Sequence, residues 1–84
     1  MEYQLRLKPR AEKELNSLSR KDYYKILTVL TGLAKNPFSG KKLEGEYRGY
    51  YSTRAWPYRI IYQAFKKELI VLIIYIGHRQ GVYK

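Results

Sequence analysis

The feature that most constrains this chain is an uninterrupted apolar run from Leu69 to Ile76, close to the end of an 84-residue sequence. At 8 residues the run is too short for a membrane span, which needs about 20 residues. Its β-branched composition and lack of polar alternation are typical of a strand that lies at the centre of a sheet and is covered on both faces. Because folding at this length buries only about 60–65% of the unfolded chain's surface, we expect one modest core and a single domain over residues 1–84.

The other elements follow from spacing and punctuation. Alternating apolar and polar residues over 3–8 predict a first strand. Pro9 predicts the start of a short helix, and Ser19 predicts the start of a second one. The second helix should end at Asn36, because Asn36 precedes Pro37. Further strands are predicted at roughly 47–55, 58–65 and 69–76. The order β-α-α-β-β-β predicts an α+β domain with two N-terminal helices packed on one face of a small, mostly antiparallel four-stranded sheet.

Composition excludes several kinds of chemistry. The chain has no cysteine and one histidine, His78. Disulfides, thiolate metal sites and a cysteine nucleophile are therefore excluded, as are metal sites with several imidazoles and a nuclease that uses a pair of histidines. We expect no metal and no cofactor. The lack of cysteine fits a reducing cytoplasm, and the N-terminus has no signal-peptide pattern.

Positive charge is the strongest functional signal. The chain carries 17 Lys and Arg against 7 Asp and Glu, a net charge of +10. Residues 47–84 contain seven of these basic side chains, a single acid at Glu68 and seven of the ten tyrosines. Cations interleaved with aromatic rings favour contacts with phosphates and with bases, so the C-terminal half is predicted to bind nucleic acid.

Two arginines are predicted to converge. A tight turn at Trp56 and Pro57 would bring Arg59 near Arg54, on the face that Arg54 shares with Ser52. Two guanidinium groups repel each other unless an anion lies between them, and a phosphate matches their donors. The competing interpretation is of ordinary surface arginines, solvated or paired with acids.

The C-terminal residues allow two interpretations in the same way. His78 is more simply a surface or half-buried imidazole than a catalytic one, and Tyr83 could be an aromatic side chain packed on the core. Taken alone, the residues therefore predict a nucleic-acid-binding α+β domain, directed to RNA, whose enzymatic status stays open.

Five short strings, in order along nearly the whole chain, carry a resemblance to a known family: Pro9 to Leu15, Lys42 to Gly45, Gly49 to Arg54, Tyr58 to Tyr62, and Gly77 to Arg79 with Val82 and Tyr83. They resemble the RelE/ParE toxin superfamily of toxin–antitoxin systems, and the RelE branch more closely than the ParE branch. RelE members are ribosome-dependent endoribonucleases that cut messenger RNA in the ribosomal A site, whereas ParE-like members poison DNA gyrase.

The resemblance implies roles for individual residues. Arg59 and Arg79 match arginines that hold the scissile phosphate, Arg54 falls where the family has a Lys or Arg, and Tyr83 matches a terminal tyrosine near the reacting nucleotide. Ser52 departs from the RelE pattern, which has a lysine there. The catalytic set implied is thus Arg54, Arg59, Arg79 and Tyr83, and the RNA- or ribosome-binding set is Lys41, Lys42, Arg48, Ser52, His78 and Lys84.

The activity implied is metal-independent cleavage of messenger RNA, in which a 2′-hydroxyl attacks the adjacent phosphate. The general base is left unassigned, with Glu44 and Glu46 as possible substitutes for a family glutamate. The partners implied are the ribosome with its message and an acidic, RelB-like antitoxin in a hetero-oligomer, with no membrane contact. Two alternatives stay open: a gyrase-poisoning toxin of the ParE type, and an attenuated member that binds RNA without cleaving it.

Overall fold

The computed structural model of the chain describes residues 2–78. Arg79, Tyr83 and Lys84, which belong to the predicted site, lie outside the described residues. The predicted α+β class is confirmed. In chain order the elements are β1 (Gln4–Leu7), α1 (Pro9–Asn16), α2 (Arg20–Lys35), β2 (Lys41–Lys42), a 3-10 turn (Gly45–Tyr47), β3 (Tyr51–Ala55), β4 (Tyr58–Phe65) and β5 (Ile70–His78).

The five strands form one sheet in the order β1-β5-β4-β3-β2. β1 is parallel to β5, and the other three pairings are antiparallel. The sheet has one strand more than the sequence predicted, because Lys41 and Lys42 pair with Ser52 and Tyr51 at the edge. Two adjacent lysines carry no apolar alternation, so no pattern marks them as a strand. β3 begins at Tyr51, later than predicted. Gly49, which comes shortly before it, has a positive φ of +94°.

The apolar strand β5 lies inside the sheet between β1 and β4, as predicted. Its two faces differ, however. Val71 and Ile73 are fully buried beneath the helices, whereas Leu72 on the other face is only half-buried. The prediction that both faces are covered was therefore wrong for the described residues, because α1 and α2 pack on the same face. We call these the helix-covered face and the open face.

A β-bulge changes which side chains of β5 reach each face. Tyr62 is paired with Ile73 but Ile61 with Tyr75, so Ile74 is an extra residue. An inserted residue reverses the alternation beyond it. Ile76 therefore joins Val71 and Ile73 in the core. Tyr75, which unbroken alternation from Ile73 would place in the core, lies on the open face.

The two helices are fixed by their caps and by one side chain. Pro9 occupies the first turn of α1, and the Ser19 hydroxyl accepts the backbone N–H of Asp22 at 3.3 Å to cap α2, as predicted. Beyond the end of β1, Glu14 of α1 accepts the backbone N–H of Ile76 at 3.0 Å. A carboxylate thus replaces the missing strand neighbour, which satisfies a donor at the edge of β5.

Candidate functional site

Arg54 and Arg59 are directly opposite each other on β3 and β4. Residues paired in this way lie on the same face of the sheet, with Cβ atoms roughly 4.5–5.5 Å apart. Arg54 is exposed and Arg59 is half-buried. The predicted convergence of the two arginines is confirmed, and they lie on the open face because Ala55 and Ile60, their chain neighbours, are in the core.

The strands that carry this pair contribute no acidic side chain. None of the five strands contains an aspartate or glutamate. Among residues 2–78 the ion pair that forms is Arg10 with Glu14, on α1. Like charges directly opposite each other destabilise a strand pair. A bound anion between them would remove that repulsion, and a phosphate can accept hydrogen bonds from both guanidinium groups.

Ser52 and Lys41 lie beside the arginine pair on the open face, and with the two arginines they form what we call the basic strip. Ser52 is two residues before Arg54 on β3 and only 5% exposed. Lys41 is paired with Ser52 and is exposed, so it shares that face. The structure therefore brings together four predicted site residues: Lys41, Ser52, Arg54 and Arg59.

Tyr75 and Arg10 also reach this part of the open face, although no sequence pattern marks either of them as a site residue. Gly77 lies opposite Arg59, and the Tyr75 ring leans so closely over Gly77 that a Cβ there would lie 2.6 Å from the ring. The Arg10 guanidinium lies 4.2 Å from the centre of the same ring, in a cation–π contact. Unbroken alternation along β5 would place Tyr75 in the core, so its position on the open face follows only from the β-bulge.

Two other predicted binding residues lie apart from the arginine pair. Lys42 and Arg48 line an open groove of about 660 Å³ together with Glu44 and Tyr50. This groove begins at the Tyr51 end of β3, whereas Arg54 is near the opposite end. Three residues of strand separate the ends by about 10 Å. Glu44, one of the two candidate bases, therefore belongs to the groove and not to the arginine pair.

His78 lies beside the helix-covered face. It is paired with Tyr58, and the two rings meet edge to face with centroids 6.1 Å apart. The Tyr58 hydroxyl donates to Asp22 Oδ2 at 2.7 Å. This bond to a carboxylate, together with burial, raises the pKa of Tyr58 above its usual value. His78 thus joins a contact between the end of the sheet and the first turn of α2, on the side away from Arg54 and Arg59.

Tyr62 fixes the loop that leads to Lys41. Its hydroxyl donates to the Pro37 carbonyl at 2.8 Å and accepts the Gly40 N–H at 3.2 Å. Burial raises the pKa of Tyr62, and the bond from Gly40 partly opposes that rise. Gly40 packs directly against the Tyr62 hydroxyl, so a side chain at position 40 would clash with it. The hydroxyl therefore sets the path of the chain into β2.

Two further kinds of site are not found among residues 2–78. No group of three or more His, Cys, Asp or Glu side chains there is arranged to hold a metal ion. Neither helix is long and apolar enough to cross a membrane.

Comparison with known proteins gives consistent matches over almost the whole chain. The family model described as ParE toxin of type II toxin–antitoxin system, parDE, matches residues 5–83. Toxin RelG of Mycobacterium tuberculosis is 28% identical over 86 residues, covering 100% of this chain and 99% of RelG. The toxin–antitoxin complex RelBE2 from the same organism has a TM-score of 0.87 at 27% identity, covering 94% of this chain and 93% of that one. The archaeal RelE–RelB complex from Pyrococcus horikoshii has a TM-score of 0.80 at 28% identity, covering 98% and 100%.

A mixed five-stranded sheet with two helices on one face is thus the fold that this chain shares with the toxin of a toxin–antitoxin complex. The chain belongs to the ParE toxin family of those systems and, with its RelG and RelE relatives, to the RelE/ParE toxin superfamily. The predicted superfamily is confirmed.

Proposed function

We propose that this toxin is a ribosome-dependent endoribonuclease that cuts messenger RNA in the ribosomal A site and so inhibits translation. The observation that carries the proposal is the Arg54–Arg59 pair on an open face whose strands contain no acid. Such a pair is suited to a phosphodiester whose negative charge increases during the reaction. The likeness to RelG and to a RelE structure favours the RelE branch of the superfamily.

The reaction is a transesterification. The 2′-oxygen of one nucleotide attacks the adjacent phosphorus, the bond from phosphorus to the 5′-oxygen breaks, and the products are a 2′,3′-cyclic phosphate and a 5′-hydroxyl. The 2′-hydroxyl loses its proton and the leaving 5′-oxygen gains one. Arg54 and Arg59 would stabilise the pentacovalent phosphate more than the ground state, which is what lowers the barrier. Arg79 as a third cation and Tyr83 near the reacting nucleotide stay predictions.

The remaining charge has a docking role in this proposal. Lys41 belongs to the basic strip, while Lys42 and Arg48 lie at the groove. A net charge of +10 favours the ribosome's phosphate surface, in contacts that weaken as salt rises. It also favours an acidic, RelB-like antitoxin as partner in a hetero-oligomer. A toxin that acts on ribosomes works in the cytoplasm.

A second candidate is inhibition of DNA gyrase. The observation that favours it is the family model itself, which describes a ParE toxin and matches residues 5–83. In that case the basic open face would contact a protein or DNA surface and would not cleave RNA. An attenuated toxin that binds RNA without cutting it is the intermediate case, and the substitution of Ser52 for a lysine favours it.

One experiment separates these candidates. Purified toxin is added to ribosomes programmed with a reporter message, and cleavage is mapped by primer extension with and without ribosomes. In parallel, the same preparation is added to purified gyrase in a supercoiling assay. The proposal expects breaks in the message only when ribosomes are present, with gyrase unaffected. An intact message with inhibited gyrase would select the ParE-type function, and bound but uncut message the attenuated one.

A further inference from the structure

The turn between β3 and β4 carries the most exposed of the large apolar side chains in the described chain. The Trp56 indole is 59% exposed, although tryptophan is among the largest apolar side chains and is usually well covered. Trp56 follows Arg54 by two residues, which is about 7 Å of strand. The ring therefore lies at the end of the sheet, next to the arginine pair.

The same turn is fixed to the basic first half of α2. Lys25 donates from Nζ to the Trp56 carbonyl at 2.6 Å, and Asp22 accepts from the Tyr58 hydroxyl at 2.7 Å. These two bonds hold one turn of α2 against the hairpin turn, so that the Lys25 ammonium group lies beside Trp56. An exposed aromatic ring with a lysine and a pair of arginines near it in the fold has the composition of a surface that binds single-stranded nucleic acid.

We propose that Trp56 is a stacking platform for a base of the RNA strand whose scissile phosphate lies at Arg54 and Arg59. This inference rests on the proposed RNA substrate. Lys25 then neutralises the phosphate on the far side of the stacked base, and the arginine pair holds the phosphate on the near side. In this arrangement Trp56 is a positioning residue: it holds the nucleotide next to the reacting one and touches neither the attacking nor the leaving oxygen.

The chain itself supplies the probe for this contact. Trp56 is the only tryptophan in the sequence, so the intrinsic tryptophan fluorescence of the toxin reports on this ring alone. The probe is a short single-stranded oligoribonucleotide with 2′-O-methyl groups at every position, which cannot undergo the transesterification. A stacked base should quench Trp56 emission saturably, whereas a duplex of the same sequence, whose bases are already stacked and paired, should not.

Substitutions turn the quenching into a quantitative test. Trp56→Ala should weaken binding of the labelled oligonucleotide by about 5- to 150-fold, the range for loss of one base–aromatic stack. Trp56→Phe keeps a ring and should restore most of the affinity. Phe65→Ala is the matched control, because Phe65 is an exposed aromatic at the other end of β4, about 20 Å away along the strand. It should leave binding unchanged.

On programmed ribosomes, Trp56→Ala should raise the toxin concentration needed for half-maximal cleavage and leave the saturated cleavage rate nearly unchanged. Unquenched emission, equal quenching by the duplex, or equal affinity of Trp56→Ala and wild type would overturn the stacking. So would a Trp56→Ala variant that binds RNA normally but loses affinity for the antitoxin, since Trp56 would then be a protein contact. Quenching without cleavage on ribosomes would leave the stacking intact and count against the nuclease instead.

Discussion

The two faces of the sheet use the same strands for different purposes. On the helix-covered face, β4 contributes Ile60 and Tyr62 to a core that α1 and α2 cover. On the open face the same strand contributes Arg59, opposite Arg54. On the covered face the Tyr58 and Tyr62 hydroxyls donate to acceptors inside the fold, whereas the open face brings two cations opposite each other. Strand alternation therefore separates stability from function at adjacent positions, so that each can be altered with limited effect on the other.

The largest effect is expected on the open face. Arg54→Ala or Arg59→Ala should each lower cleavage of ribosome-bound message by about 100- to 1,000-fold, the cost of losing one group that stabilises transition-state charge. Thermal unfolding of Arg54→Ala should change little, because Arg54 is an exposed side chain. Arg6→Ala is the matched control, since Arg6 is an exposed arginine on β1, bonded to Gln4. Equal losses of cleavage for all three variants would mean that overall positive charge, and not the arginine pair in particular, supports the reaction.

The next effect should distinguish the faces by stability. Ile73 is fully buried and its neighbour Leu72 is half-buried on the opposite face. Ile73→Ala should lower the free energy of unfolding by about 2–5 kcal/mol, and Leu72→Ala by less than half as much. Urea unfolding of both variants gives the comparison. Similar losses at the two positions would mean that another part of the chain buries the open face.

A smaller loss is expected from a hydroxyl on the covered face. Tyr62→Phe removes the bond to the Pro37 carbonyl and leaves the Gly40 N–H without that acceptor. The free energy of unfolding should fall by about 1–3 kcal/mol, because a buried polar group loses its partner. Hydrogen exchange should show faster exchange at Gly40 but not in α1. An unchanged exchange rate at Gly40 would contradict the anchoring role of Tyr62.

The same tyrosine predicts a dependence on pH. The pKa values of Tyr58 and Tyr62 are raised above 10.0 in the folded protein. The stability contributed by a raised pKa is complete below the unfolded value and is lost as the pH rises through the folded one. Unfolding measured from pH 8 to 11 should therefore show stability falling above about pH 10. Tyr62→Phe should make the free energy of unfolding fall less steeply with pH in this range. An unchanged slope would assign the whole pH dependence to other groups.

The smallest effect is expected where α1 meets β5. Glu14→Ala removes the acceptor for the Ile76 N–H and the partner of Arg10. The cost should be about 1 kcal/mol, or 4–8 °C in melting temperature for a domain of this size. Glu14→Gln keeps an acceptor oxygen and should recover most of that loss. If both variants melted alike, the exposed ion pair, and not the bond to Ile76, would carry the effect.

Much of the fold could be predicted because the sequence marks it locally. Pro9 and Ser19 mark the starts of the two helices. Trp56 and Pro57 mark the hairpin turn that pairs Arg54 with Arg59. The bulge at Ile74 could not be predicted, because it leaves no trace in a run of apolar residues, yet it moves Tyr75 to the open face. The separation of Lys42 and Arg48 from the arginine pair was also hidden, since a sequence pattern does not show how a loop is folded. Arg79, Tyr83 and Lys84 stay predictions.

A shared phosphate site at Arg54 and Arg59 is tested most directly by a double-mutant cycle on the two residues, measured as the single-turnover rate at which ribosome-bound message is cut. If both guanidinium groups hold one phosphate, their effects depend on each other. The Arg54→Ala/Arg59→Ala variant should then be far less impaired than the product of the two single losses. Strictly multiplicative losses, or single variants that cut at the wild-type rate, would contradict a shared phosphate site.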